Sequence, residues 1–406
     1  MKSITYKLIM RDKIKLLSRI MRSKSRKDNN LRLLHLADLH VRDKDIEEAC
    51  RCLDYVIGTA KERAIDLIVV AGDLFDSRDI KLDSKSAKLV IEKVSTLADI
   101  APVAIITGTP THDGKAPEIL RFAKGRHWIH VATEPEQIRK PDFVLTLVPT
   151  PTKQFVNNGS IVDSNESLSG AMNTVFADFG AQAAGYDGTV PHILVGHWDV
   201  SGARLPAGQI PAGQDIVISV DQMMLADPDL VCLGHIHQKQ MLGGRAFFSG
   251  SLYPLNWGEL TDHGFYIHTL DGRKVVSSEF IESPCRKLLK YTLDLTNDGQ
   301  IQMPTENILG ADVRVDVKVW QDKATTIDRD NLRADLVRLG AASVDDRLIR
   351  IPRQTVRCES VLKVERLRDK LVAMAAFKGE TVPESILLKA DELETELADE
   401  LIGRAV

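Results

Sequence analysis

Two segments of this chain indicate its fold class. They are LRLLHLADLH at residues 31–40 and DLIVVAGDLFD at residues 66–76. In each segment a short apolar run, typical of a buried strand, ends directly in polar residues. Residues 45–64, between the two segments, carry apolar side chains at helical spacing. A strand, a helix and a second strand in this order predict an α/β sheet with polar residues at its strand ends.

The same pattern continues along the chain. Further strands are predicted at residues 102–107, 143–148, 192–196 and 230–233, and further helices at 82–100 and 168–184. After Pro284 a smaller α/β pattern follows, and two charged amphipathic helices end the chain. Their apolar stripes either bind a partner or pack on the chain's own surface.

We therefore predict four segments. They are a basic N-terminal extension at residues 1–30, a large α/β domain at 31–283, a small α/β domain at 284–356 and a C-terminal helical hairpin at 357–406. The first 30 residues carry ten Lys or Arg but only two Asp, Asp12 and Asp28. Such a segment is either a basic arm for nucleic acid or a flexible leader, and we expect the flexible leader.

Composition excludes several classes of protein. With 406 residues, 44% of them hydrophobic, disorder is not the main state. Because 53 basic residues face 57 acidic ones, for a net charge of −4, no global positive field attracts nucleic acid, and a polyanion must be held locally. The five cysteines are scattered, which argues against a disulfide framework or a cysteine zinc site and favours a cytoplasmic protein. No apolar run is long enough to span a membrane.

Metal-ligand residue types gather where the predicted strands end. They form five clusters in chain order: Asp38 with His40, Asp73 with Asp76, His112 with Asp113, His197, and His235 with His237. Residues two apart in an extended segment point to the same side, so Asp38 with His40, and His235 with His237, can each offer two ligands to one pocket. Carboxylate and imidazole ligands without thiolate suit manganese, iron or zinc, and a carboxylate able to bridge suits a two-metal site.

The order of these clusters resembles the calcineurin-like metallophosphoesterases. The shared series is Asp-x-His, Gly-Asp-x-x-Asp, a His-Asp pair, a single His and Gly-His-x-His, from about residue 31 to 281. Two features resemble the SbcD-type DNA repair nuclease subunits in particular: GDLFD at residues 72–76, and FSGS at 248–251 followed by WGE at 257–259. The resemblance implies a four-layer αββα sandwich with a small α/β capping domain and a C-terminal helical hairpin.

The resemblance also implies roles for individual residues. One metal would be held by Asp38, His40, Asp73 and His237, and a second by Asp73, His197 and His235. The two ions are expected to be Mn2+, which activate a water and neutralise charge on phosphorus. His112 would be the catalytic histidine, which does not ligate metal but stabilises or protonates the leaving oxygen, and Asp113 would orient it.

One position departs from the family pattern. Thr111 stands where the family carries Asn before the catalytic histidine, and the loop is two residues longer, through Thr109 and Pro110. A hydroxyl is a poorer ligand than an amide carbonyl. The second metal is therefore expected to bind weakly, through water, or with help from Thr109. Activity is still expected because every charged or imidazole position is retained.

Three functions are compatible with the sequence. The leading hypothesis is a manganese-dependent DNA nuclease, an exonuclease or endonuclease, that acts as a homodimer with an SbcC-like coiled-coil ATPase in DNA repair or recombination and needs no membrane. The second is a phosphoesterase on a small phosphodiester or phosphoprotein, which the acidic composition favours. The third is a non-catalytic assembly subunit with a weakened second metal site, which Thr111 favours; two bound metals with turnover would exclude it.

Overall fold

The structure is a computed structural model that describes residues 30–152, 165–185, 188–206, 216–296, 307–352, 361 and 363–403. The N-terminal extension at 1–30 lies outside these residues except for its last position. None of the helices in the described part combines the length and apolarity that a bilayer crossing requires.

The strands are numbered in chain order. The first nine are β1 (Leu31–Leu36), β2 (Leu67–Ala71), β3 (Val103–Ile106), β4 (Ile129–Ala132), β5 (Glu136–Lys140), β6 (Phe143–Val148), β7 (His192–His197), β8 (Asp199–Val200) and β9 (Val217–Ile218). The others are β10 (Leu230–Gly234), β11 (Gln240–Leu242), β12 (Ala246–Phe248), β13 (Gly264–Asp271), β14 (Lys274–Glu282), β15 (Leu288–Asp294), β16 (Asp312–Trp320) and β17 (Ser343–Ile351).

The α-helices are α1 (Ile46–Glu62), α2 (Lys85–Ala98), α3 (Asn165–Ala184), α4 (Val220–Met224), α5 (Arg329–Arg338), α6 (Leu367–Lys378) and α7 (Glu384–Gly403). Short 3-10 helices lie at Asp43–Asp45, Ala116–Phe122 and Gln321–Thr326. The six strands predicted from their apolar runs all form, at residues within one or two positions of the expected bounds.

Two six-stranded sheets build the large domain. Their strand orders are β14-β13-β1-β2-β3-β4 and β11-β12-β10-β7-β6-β5. The central strands β1 to β4 run parallel in the first sheet, and β6, β7, β10 and β12 run parallel in the second. Parallel strands place their carboxyl ends at one edge of a sheet, so the polar clusters of the sequence gather at these edges.

Three apolar layers hold the sheets and helices together. Neighbouring residues of β1 point to opposite faces: Leu34 packs with α1 and α2, whereas Leu33 packs between the two sheets. On the far side of the second sheet, Phe176 of α3 packs against Trp198 with ring centroids 5.8 Å apart. The order helix, sheet, sheet, helix confirms the expected four-layer αββα sandwich.

The remaining elements match the smaller pattern expected near the end of the chain. Strands β15, β16 and β17 form a three-stranded sheet in that order. Helices α6 and α7 form the expected hairpin, in which Arg368 donates to Asp391 at 2.6 Å. Gly379 ends α6 in the left-handed conformation at φ 72°, which glycine adopts without strain.

The chain divides into two compact units when only described residues are considered. The first contains the described residues within 30–291, 307–314 and 333–345, and the second contains those within 292–296, 315–332 and 346–403. The domain boundaries at 31–283, 284–356 and 357–406 stay a proposal.

Replacing Phe176 with Ala should lower the free energy of unfolding by about 3 to 5 kcal/mol, because a fully buried ring is lost from the layer beneath α3. Urea denaturation followed by circular dichroism measures this change. The matched control is Phe122→Ala, whose ring is 79% exposed and whose loss should change stability by less than about 0.5 kcal/mol. Equal effects of the two substitutions would contradict the packing described.

Candidate metal centre

The strand ends of both sheets bring the predicted ligands to one place. Asp38 and His40 follow β1, Asp73 follows β2, His197 ends β7, and His235 with His237 follows β10. Donor atoms of Asp38, His40 and His237 lie within 4.8 Å of one another, as do those of Asp38, Asp73 and His197. The structure therefore groups side chains that are up to 199 positions apart in the sequence.

The first group surrounds His40. Its Nε2 atom lies 3.1 Å from Nε2 of His237 and 3.6 Å from Oδ2 of Asp73. His40, Asp38 and Asp73 are almost completely buried. The second group surrounds His197, whose Nε2 lies 3.2 Å from the same Oδ2 of Asp73. Asp73 therefore faces both groups.

His235 lies at the side of the second group. Its ring makes edge contact with the ring of His197 at a centroid distance of 5.3 Å, and its Nε2 lies 3.4 Å from Oδ1 of Asp199. Its backbone N–H donates to Oδ1 of Asp38 at 2.8 Å. Through this bond the loop after β10 is tied to the loop after β1.

The backbone of the centre is strained. Asp38, His40, Asp73 and His235 have φ values of 51°, 39°, 51° and 92°, in the left-handed region that side chains other than glycine rarely adopt. Such strain persists where the surrounding structure over-determines the conformation, and it is concentrated at functional sites. The strain here turns the polar side chains from the strand ends into the seam between the sheets.

Two glycines let the backbone approach the ligands. A Cβ on Gly72 would lie 2.4 Å from Nδ1 of His197, and one on Gly108 would lie 2.2 Å from Oδ1 of Asp73. Both distances are far below a van der Waals contact. Gly72 also has φ +84°, which suits glycine.

Outer hydrogen bonds determine which imidazole nitrogen faces the centre. Nδ1 of His197 donates to the carbonyl of Ala71 at 2.7 Å, and Nδ1 of His237 donates to Oε1 of Glu259 at 2.9 Å. A carbonyl and an ionised carboxylate can only accept, so in the neutral form of each ring Nε2 is left with its lone pair toward the centre. Glu259 is buried and also accepts from the backbone N–H of Leu255.

His112 and Asp113 do not form the expected pair. Nδ1 of His112 donates to the carbonyl of Asp76 at 3.0 Å. Asp113 is fully buried, and its two carboxylate oxygens accept from the backbone N–H groups of Phe75 at 3.1 Å and Gly108 at 2.8 Å. Asp113 therefore joins the loops after β2 and β3, and the orienting partner of His112 is the backbone of Asp76.

Thr111 does not face the centre, contrary to the expectation that it replaces the family's Asn there. Its side chain is exposed, whereas the hydroxyl of Thr109 lies 3.1 Å from Oδ2 of Asp73 and 3.2 Å from Nε2 of His197. A turn is the reason: the carbonyl of Thr109 accepts from the backbone N–H groups of His112 and Asp113, so Thr109 lies at the near position and Thr111 lies outward. Counting back from His112 could not reveal this shift.

The electrostatics of the centre favour positive charge. Burial alone would raise the pKa of Asp73, but the imidazoles of His197 and His40 lower it below its usual value. Burial and the neighbouring Asp73 charge raise the pKa of Asp113 to about 7. Asp73 is thus held ionised at a buried position, where an ionised carboxylate needs a compensating charge.

The donor set fits a divalent cation. Oδ2 of Asp38 and Nδ1 of His40 are buried without a hydrogen-bond partner in the described part of the chain. Nε2 of His40 and Nε2 of His237 lie 3.1 Å apart, a separation that one imidazole donating to another adopts without an ion and that two ligands of one ion also adopt. A cation would satisfy Oδ2 of Asp38 and would offset the buried carboxylates.

A second buried cluster has other partners. His35, Cys232 and His268 lie close enough to share an ion. However, His35 bonds the carbonyl of Leu233 at 3.1 Å and His268 at 3.5 Å, and His268 bonds the hydroxyl of Ser278 at 2.8 Å. All four imidazole nitrogens therefore have a partner, and the cluster is a structural one between the sheets.

A four-layer sandwich with carboxylates and imidazoles at its strand ends is a metal-dependent phosphoesterase, a hydrolase. The chain belongs to the calcineurin-like phosphoesterase family, whose model matches residues 31–239, just over half of the chain. This match confirms the resemblance inferred from the motifs. The family uses divalent metals, and the His and Asp groups above are able to bind them.

The chain is also similar to individual proteins. It is 27% identical over 277 residues to the SbcD subunit of the SbcCD nuclease of Rhodobacter capsulatus, covering 60% of this chain and 67% of that protein. Among solved structures, it is similar to GAP50, the anchor in the inner membrane complex of Plasmodium, with a TM-score of 0.40, 13% identity, and 64% of this chain and 90% of that one covered.

Glu259 and Thr109 are the two site residues that sequence reasoning does not place. Glu259 lies in the WGE turn, 22 positions after His237, and no local pattern links the two. Thr109 precedes a proline in the longer loop, and the sequence indicates it only as a possible helper of Thr111.

The substitution Glu259→Gln should weaken divalent-metal binding by about tenfold to a hundredfold, because Nδ1 of His237 loses its charged acceptor. Isothermal titration with Mn2+ measures the change. Glu282→Gln, on the partly exposed strand β14, is the control and should bind as the unmodified chain does. An unchanged affinity in Glu259→Gln would show that Glu259 does not support the centre.

Proposed function

We propose that this chain is a two-metal, manganese-dependent DNA nuclease subunit that hydrolyses phosphodiester bonds. The single observation that carries the proposal is the buried carboxylate and imidazole centre at the strand ends, in a chain similar to an SbcD nuclease subunit. Manganese is proposed because mixed carboxylate and imidazole donors suit it.

The proposed ligands divide between two ions that share Asp73. The first ion is assigned to Asp38, His40, Asp73 and His237, and the second to Asp73, His197 and His235. The position of Asp73 Oδ2, 3.6 Å from His40 Nε2 and 3.2 Å from His197 Nε2, supports this sharing. When bound, the ions supply an acidified water and neutralise the charge that develops on the phosphate.

His112 is proposed to move the proton to the leaving oxygen. Because Nδ1 carries a proton held on the Asp76 carbonyl, Nε2 is the nitrogen that exchanges a proton with substrate. The ring of His112 makes edge contact with the ring of His40 at 4.7 Å, which positions it beside the centre. Asp113 acts indirectly: its hydrogen bonds hold the loop that carries His112 against the loop after β2.

DNA would have to be held by local contacts, because the chain as a whole carries a net charge of −4. Contacts of this kind release counterions from the phosphate backbone, so DNA binding should weaken as salt rises. A small phosphodiester or a phosphoprotein makes few such contacts. Cleavage of those substrates but not of DNA would favour the second hypothesis.

His112→Ala should abolish most cleavage of linear DNA in the presence of Mn2+, a loss of about a hundredfold or more, while metal binding is retained. Gel analysis of a labelled duplex measures cleavage, and titration calorimetry measures metal binding. Asp38→Asn is the contrasting variant and should lose both. Full activity of His112→Ala, or an unmodified chain that cleaves no DNA, would contradict the proposed function.

The C-terminal hairpin is proposed to bind a coiled-coil ATPase of the SbcC type. Apolar side chains on its two helices are exposed, among them Met374, Phe377, Ile386, Leu388 and Leu397, which are 49%, 65%, 49%, 55% and 62% accessible. Exposed apolar groups this dense on a short hairpin are typical of a docking surface. The homodimer inferred from the resemblance stays a prediction.

The double substitution Phe377→Ser and Leu388→Ser should remove most of the binding to an SbcC-type ATPase, because two exposed apolar contacts are lost. Co-purification of the two co-expressed proteins measures binding, and Mn2+-dependent cleavage by the isolated variant should be unchanged. Leu82→Ser, at a position 68% exposed in the first unit, is the control and should bind normally. Retained binding by the double variant would exclude the hairpin as the docking surface.

A further inference from the structure

The loop after β3 is anchored to the metal centre at two points. The backbone N–H of Thr109 donates to Oδ1 of Asp73 at 2.6 Å, and that of Gly108 donates to Oδ2 of Asp113 at 2.8 Å. Beyond these bonds, the carbonyl of Thr109 accepts from the N–H groups of His112 at 2.9 Å and Asp113 at 3.0 Å. The extra residues of the loop therefore form a turn that begins at Thr109.

This turn has a direct consequence for the second metal position. It carries Thr111 outward, where its side chain is exposed, and it leaves Thr109 as the residue between β3 and the centre. His112 is still returned to the centre by the same turn. The longer loop thus keeps the catalytic histidine in place but changes the side chain that approaches Asp73 and His197.

Three donor atoms form a nearly equilateral triangle at this position. Oγ1 of Thr109 lies 3.1 Å from Oδ2 of Asp73 and 3.2 Å from Nε2 of His197, and the last two atoms are 3.2 Å apart. Ligand distances of about 2.0–2.2 Å around a divalent cation place neighbouring donors roughly 3.0–3.4 Å apart. The triangle therefore has the dimensions of one face of a coordination shell.

The three donor atoms can each direct a lone pair toward one ion. His197 presents the lone pair of Nε2, because Nδ1 donates to the Ala71 carbonyl. Asp73 presents Oδ2 to the same position, 3.2 Å from Nε2 of His197. The Thr109 hydroxyl can turn its hydrogen away and present a lone pair. All three groups can thus act as donors to one cation at the same time.

We propose that Thr109 supplies the hydroxyl oxygen that completes the second divalent-cation site with Asp73 and His197, in place of an amide side chain at the position before His112. This inference rests on the metal centre of the proposed function and is independent of its DNA substrate. Because a neutral hydroxyl is a weaker donor than an amide carbonyl, the second cation binds less tightly than the first.

The test measures Mn2+ binding to the full chain by electron paramagnetic resonance, from the loss of the free-ion signal and the spectrum of a coupled ion pair. Thr109→Val removes the hydroxyl and keeps the side-chain shape, so it should weaken the second ion by about tenfold or more and leave the first unchanged. Thr109→Ser retains the hydroxyl and should bind two ions. Thr111→Val, at the exposed neighbour, is the matched control and should also bind two.

Three results would overturn the inference: two ions bound normally by Thr109→Val, an equal loss in Thr111→Val, or a single ion bound by the unmodified chain. Melting curves in EDTA, compared with the binding data, distinguish metal ligation by the Thr109 hydroxyl from a purely structural role. If Thr109→Val unfolds at a lower temperature without metal and still binds two ions normally, the hydroxyl serves only to hold Asp73, and the inference is also overturned. Two ions in the unmodified chain without DNA cleavage would remove the proposed substrate and leave this inference intact.

Discussion

Two carboxylates buried in the seam between the sheets constrain the rest of the structure. Asp38 and Asp73 are 0% and 2% exposed, and an ionised carboxylate out of water is costly unless charge and hydrogen bonds compensate it. Imidazoles supply part of that compensation, with His40 and His197 beside Asp73. A divalent cation would supply the rest, since the family uses such metals and these side chains are placed to bind them.

The sandwich can carry this centre because its strands end in strained but well-supported loops. The left-handed backbone of Asp38 is supported by its N–H bond to the Gly72 carbonyl at 3.1 Å, and that of His40 by its bond to the Asp73 carbonyl at 2.9 Å. Three apolar layers hold the strands that feed these loops. The strain is local, whereas the packing that opposes it extends through the whole domain.

The pattern of apolar residues along the chain predicts inner strands of each sheet but not the edge strands. Half of the twelve strands in the two large sheets follow from apolar runs alone, and all of these lie inside the sheets. Edge strands such as β5 (EQIRK) and β14 (KVVSSEFIE) are not predicted, because they are half-exposed and their polar residues hide the period. At the site, the family resemblance implies six carboxylate or imidazole ligands, and the structure groups five of them closely, with His235 at the side.

Local patterns in the chain predict the alternation of strands and helices and the carboxylates and imidazoles at the strand ends, because burial periodicity and ligand chemistry are local properties. The four layers are implied by the family resemblance. Three contacts are visible only in the folded chain. Thr109 rather than Thr111 approaches Asp73. Asp113 joins two loops, and Glu259 orients His237. The first two depend on the path of a loop with two extra residues, and the third joins positions 22 residues apart. Contacts of this kind arise from the packing of one segment against another, which no local period records.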